Sequence, residues 1–125
     1  MGARLSLATC AIMASAAPAV AGTDTIYVGD NHSWALTCNA SGYRLQSRHP
    51  VARFIEKGAD SQVIEGLETL YLGRDCDARH NVLNEGKWCW ANGGFVAEFG
   101  NTSIGFPRQE LSCADGNHEI TGCGC

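Results

Sequence analysis

The sequence predicts an all-β fold, a small antiparallel β-barrel or sandwich of about seven or eight short strands stapled by disulfides. Three observations carry this reading. Apolar and polar residues alternate over short runs that are separated by Gly, Asn and Asp turns. The stretch 86–110, GKWCWANGGFVAEFGNTSIGFPRQE, holds two tight-turn dipeptides between aromatic strands. Six cysteines, Cys38, Cys76, Cys89, Cys113, Cys123 and Cys125, lie beyond the N-terminal segment, and an even number in a short exported chain reads as a disulfide framework.

The N-terminal segment explains the word exported. Arg4 precedes an apolar run from Leu5 to Val20, which ends in Ala19-Val20-Ala21 before Gly22. A charged start, a short apolar core and an A-x-A exit form a secretory signal peptide. Residues 1–21 are therefore read as that peptide, and 22–125 as one β domain with a Cys-rich tail over 114–125. The Ala-rich core is of bacterial type, so the expected location is periplasmic or secreted.

The formal net charge is −4, and loss of Arg4 makes the remainder more acidic. An acidic chain without a Lys/Arg block argues against nucleic acid or an anionic membrane as partner. No second apolar stretch approaches the roughly 20 residues of a membrane span. A cationic partner suits this charge.

In chain order, Thr25-Ile26-Tyr27-Val28 is strand-like and Gly29-Asp30-Asn31 turns the chain. Ser33 to Cys38 sets Trp34, Leu36 and Cys38 against Ser33, Ala35 and Thr37, a strand with one buried face. Asn39-Ala40-Ser41-Gly42 closes a hairpin into Tyr43-Arg44-Leu45-Gln46. Val51 to Glu56 fits a strand or a short helix, and Lys57 to Asp60 a loop. Gln62-Val63-Ile64 and Thr69-Leu70-Tyr71-Leu72 are strands. Residues 73–86 are polar and read as a loop held by Cys76. Gln109 to Cys113 reads as a last strand.

The stretch 86–110 can be read in more detail. Asn92-Gly93 calls for a type I′ turn, because both central residues tolerate positive φ. That turn sets Trp90 opposite Phe95, Trp88 opposite Ala97 and Lys87 opposite Glu98. Gly100-Asn101 then sets Ala97 opposite Ile104 and Phe95 opposite Phe106. Opposed residues share a face, so Trp88, Trp90, Phe95, Ala97, Phe99, Ile104 and Phe106 fall together, and a one-residue slip in either turn would scatter them. In a small β domain such a face is the core rather than a sugar-stacking platform.

Candidate chemistry is sparse. Cys76 and His80, or Cys113, His118 and Cys123, could ligate zinc, but no CxxC or HExxH spacing is present and disulfides account better for the cysteines. No metal or other cofactor is assigned. No G-x-S-x-G elbow or other signature places a nucleophile, so no catalytic residue is assigned. Cys123 and Cys125, separated only by Gly124, are expected to pin the tail to two different places. The candidates for contact with a partner are the polar residues at strand ends, Arg74, Asp75, Arg79, His80, Asn92 and Arg108, since loops carry binding groups.

With its exported size, acidity and β pattern, the chain resembles the periplasmic inhibitors of c-type lysozyme, the MliC/PliC group. The residues that carry the resemblance are Leu36-Thr37-Cys38, Tyr71-Leu72-Gly73 and the strand Trp88-Cys89-Trp90-Ala91-Asn92-Gly93-Gly94. It implies an eight-stranded antiparallel barrel, a bridge between Cys38 and Cys113, and inhibition by loops inserted into the enzyme. That family's Ser-Gly and Lys-Gly elements have no one-to-one counterparts here, where Arg74-Asp75-Cys76-Asp77 and Ala91-Asn92-Gly93 stand. The expected function is thus an exported, non-catalytic binding protein, an inhibitor of c-type lysozyme or a binder of another cationic exported protein. The alternatives are a cell-envelope interaction module or a small hydrolase.

Overall fold

The computed structural model describes residues 2, 26–57, 59–113 and 120–125; residues 3–21 of the expected signal peptide and His118 lie outside them. Among the described residues there are ten strands: β1 (Ile26–Gly29), β2 (His32–Asn39), β3 (Gly42–Ser47), β4 (Val51–Lys57), β5 (Asp60–Gly66), β6 (Thr69–Gly73), β7 (Asp77–His80), β8 (Asn84–Ala91), β9 (Gly94–Phe99) and β10 (Thr102–Phe106). Eight form one antiparallel sheet in the order β1-β2-β3-β6-β7-β8-β9-β10, and β4 and β5 form a separate hairpin. The large sheet curls into a nearly closed barrel. No described helix is long and apolar enough to cross a membrane.

The turn chemistry sets the registers as expected. Asn92 and Gly93 both have positive φ, 55° and 69°, and β8 pairs with β9 as Trp90↔Phe95, Trp88↔Ala97 and Lys87↔Glu98. In the second turn only Gly100 has positive φ, the type II′ pattern, and β9 pairs with β10 as Ala97↔Ile104 and Phe95↔Phe106. Trp88, Phe95, Ala97, Phe99, Ile104 and Phe106 are all buried. Phe95 and Phe106 stack at 4.4 Å, with Tyr27 and Trp34 edge-on to them. The buried indoles find acceptors: Trp34 donates to the Gly29 carbonyl and Trp88 to that of Gly73.

Two side chains replace ladder bonds where the barrel fails to close between β10 and β1. Gln109 pairs through its amide with the Val28 backbone, accepting from the N–H and donating to the carbonyl, each at 2.7 Å. The Tyr27 hydroxyl donates to the Glu110 carbonyl and accepts from the Ser112 amide. Gln109–Cys113 is therefore a strap and not the expected strand. Each of these bonds has a side chain on one side, so no backbone ladder forms.

The tail closes another gap. β7 begins at Asp77, opposite Lys87, which leaves the last residues of β8 without a β7 partner. Cys123 to Cys125 fill that space: the Trp90 amide donates to the Cys123 carbonyl, the Cys125 amide to the Trp90 carbonyl, and Trp90 bridges Gly124 in parallel. Disulfides Cys76–Cys123 and Cys89–Cys125 flank this piece, and Cys38–Cys113 holds the strap to β2. The tail is thus pinned at two different places, and three disulfides mark a chain that matures in an oxidising, exported environment.

Other expectations need correction. Residues 73–86 are not one loop, because β7 and the start of β8 lie there. Their inward positions are occupied by Ala78, His80 and Gly86, so the usual apolar alternation is muted. Val51–Glu56 belongs to a strand, and with β5 it forms a hairpin that stands apart from the barrel.

Candidate functional site

The registers sort the turns between two ends of the barrel. The β2–β3, β6–β7 and β8–β9 turns and the residues after β10 share one end, together with the described tail. The β1–β2, β7–β8 and β9–β10 turns share the other, beside the β4–β5 hairpin.

Four of the six candidate residues gather at the tail end: Arg74 and Asp75 in the β6–β7 turn, Asn92 in the β8–β9 turn, and Arg108 after β10. All four are exposed. Arg74 is held across the rim, its Nε donating to the Ala40 carbonyl at 2.7 Å. Asn39 shapes the neighbouring turn by accepting from the Ser41 and Gly42 amides. Asn92 borders an open cleft of about 500 Å³ whose walls include Tyr43, Trp90, Leu111 and Ile120. Trp90 is only half-buried, and its indole donates to the Ile120 carbonyl. All six cysteines of the domain are in disulfides, so none is a thiolate available to a metal. Among the described residues no group of His, Cys, Asp and Glu is arranged around a metal position.

The other two candidates separate from this rim. Arg79 lies on β7 and reaches Glu85 at 3.4 Å in a solvent-exposed pair, the kind of contact that adds little stability. His80 was expected on a loop but is on β7 with 1% of its surface exposed. It cannot touch a partner. Its Nδ1 accepts from the Val82 and Leu83 amides, each at 3.0 Å. The ring proton therefore sits on Nε2, which donates to Glu68 Oε1 at 3.0 Å.

Glu68 is the residue that sequence reasoning passed over. It is also 1% exposed. Arg53 of β4 grips it through one edge of its guanidinium, Nη2 to Oε1 at 2.6 Å and Nε to Oε2 at 2.7 Å, a bidentate charge-assisted pair. Arg53 also meets Asp30 at 3.2 Å. Burial raises the cost of ionising Glu68, but hydrogen bonds from Arg53 and His80 outweigh it and hold the carboxyl down at about 2. The same bonds to Glu68 push the Arg53 guanidinium up. A parity signal was present. Glu68 alternates in phase with Leu70 and Leu72, and Arg53 with Val51 and Ile55, so both occupy inward positions.

Sealed from solvent, the Glu68–His80 pair is not poised for proton transfer to a substrate. It anchors the β4–β5 hairpin, since Arg53 reaches it from that hairpin. No family model matches the chain, and neither a curated protein nor a solved structure matches it.

Proposed function

We infer that the chain is an exported, non-catalytic binding protein that acts on a cationic exported protein, with a c-type lysozyme as the first partner to test. The observation that carries this is the gathering of Arg74, Asp75, Asn92 and Arg108 on the one rim that three disulfides brace. Turns held in one conformation lose little entropy on binding, which is how a small rigid domain reaches useful affinity. The net charge of −4 favours a basic partner, chiefly by steering its approach. The Cys38–Cys113 bridge, which the lysozyme-inhibitor resemblance implies, supports the same reading.

The test is calorimetric titration of the oxidised protein against a c-type lysozyme at low and moderate salt, with lysis of bacterial cell walls followed in parallel. One-to-one binding that weakens with salt and slows lysis is expected, with a loss of about tenfold in Arg74→Ala or Asp75→Ala, the scale of a contact worth about 1.4 kcal/mol. No heat at either salt and unchanged lysis at micromolar protein would end the lysozyme reading.

A further inference from the structure

The β4–β5 hairpin poses a separate question at the opposite end of the barrel. β4 pairs with β5 alone. Among the described residues, no backbone group of β4 bonds to backbone outside that hairpin. Its other edge faces the barrel end across two adjoining clefts of about 510 and 520 Å³, which share Phe54, Ile55, Leu83 and Thr102. An open strand edge is a ready partner for another chain unless it is blunted. Here Arg53 locks the hairpin through the buried Glu68, so the edge is held in place and stays accessible.

The lining says what would fit. Phe54 is 59% exposed at the cleft and Val63, directly opposite it in the hairpin, is 62% exposed. Ile55 and Leu83 are half-buried and form apolar walls. Asp30 lines one cleft and the exposed Glu56 the other, so a carboxylate lies toward each end of the groove. Among the described residues that line the clefts, the one guanidinium is that of Arg53, already engaged by Glu68 and Asp30. A second copy of this chain would bring its own net charge of −4 and its own Asp30 and Glu56 against the same carboxylates.

We propose that the free edge of β4 is a docking site for an extended segment of a partner protein, apolar at its centre and with a Lys or Arg at each end. The segment adds as a third strand to the hairpin. Main-chain hydrogen bonds supply affinity and the side-chain positions supply specificity. This site is distinct from the rim at the tail end and does not depend on the lysozyme reading.

The probe is a capped nine-residue peptide of alternating Val and Ser with a Lys at each end, titrated into the oxidised protein and followed by backbone amide shifts. Shifts confined to β4 and the β1–β2, β7–β8 and β9–β10 turns are expected. A peptide with Glu at each end should bind at least tenfold more weakly, and one N-methylated at alternate residues should not bind. Phe54→Ser should weaken binding about tenfold, whereas Val28→Ser, an equally exposed apolar residue on β1, should leave it unchanged. Glu56→Gln, which alters no buried contact, should reduce the salt dependence. Equal binding of the Glu-ended or N-methylated peptide would overturn strand addition by a cationic segment. A concentration-dependent dimer abolished by Phe54→Ser would also overturn it, assigning the edge to a second copy. Lysozyme binding that survives Phe54→Ser but not Arg74→Ala would separate the two sites.

Discussion

Glu68→Gln tests the anchor that sets the β4–β5 hairpin. The folded carboxyl titrates at about 2 against an ordinary value of 4.5. At about 1.4 kcal/mol for each pH unit by which the carboxyl is held down, that is about 3 kcal/mol of stability. The sign follows from the direction. A depressed carboxyl stabilises the fold fully above 4.5, and the contribution is lost as pH falls towards 2; at pH 2.5 about 1 kcal/mol remains. Glutamine keeps the size but not the charge, so the buried Arg53 loses its bidentate counter-ion and keeps only the more exposed Asp30. Breaking a buried pair in this way costs about 3–5 kcal/mol. Urea unfolding of the oxidised wild type and variant at pH 7, 4.5 and 2.5 measures this directly. The difference between them should be about 3–5 kcal/mol at pH 7 and shrink by roughly 2–3 kcal/mol at pH 2.5. Arg53→Met combined with Glu68→Leu should recover part of the loss, because no buried charge is left unpaired, while the buried His80 Nε2–H loses its acceptor and keeps the recovery incomplete. A Gln variant within 1 kcal/mol of wild type at pH 7, or a difference that does not change with pH, would refute the reasoning.

Two further predictions concern the rim. Gly94→Ala would drive its new methyl into the Phe106 carbonyl and the Arg108 amide; backbone cannot yield cheaply, so a loss of about 2–3 kcal/mol in urea midpoint analysis is expected. Gly105→Ala on the adjacent strand meets nothing within 4 Å and should change stability by about 0.5 kcal/mol or less. Replacing Cys89 and Cys125 together by Ser opens a bridge spanning 36 residues; the loss should be about 3 kcal/mol. Trp90 should become more exposed as the tail strand detaches, which fluorescence quenching by iodide would register.

Local chemistry determined much of this molecule. Asn92-Gly93 and Gly100-Asn101 specify their turns through positive φ, and side-chain alternation carries that choice across three strands. The β class, the aromatic core and the disulfide framework were therefore legible. The disulfide partners were open to residue-by-residue reading, and only the fold brings Cys123 to Cys76 and Cys125 to Cys89. The contact candidates were legible as polar turn residues, but not their sorting between the ends, because that depends on which strands pair. His80 shows the limit most clearly. As a polar residue in a polar stretch it reads as exposed, and only Glu68 and Arg53, brought from twelve residues and more away, make its burial affordable. The β4–β5 hairpin is the same case at larger scale. Local pattern read Gln62-Val63-Ile64 as a strand and left Val51 to Glu56 between strand and helix, while the hairpin's attachment beside the barrel rests on one buried ion pair. A charge can stay buried only where tertiary structure supplies its partner, and no local pattern encodes that.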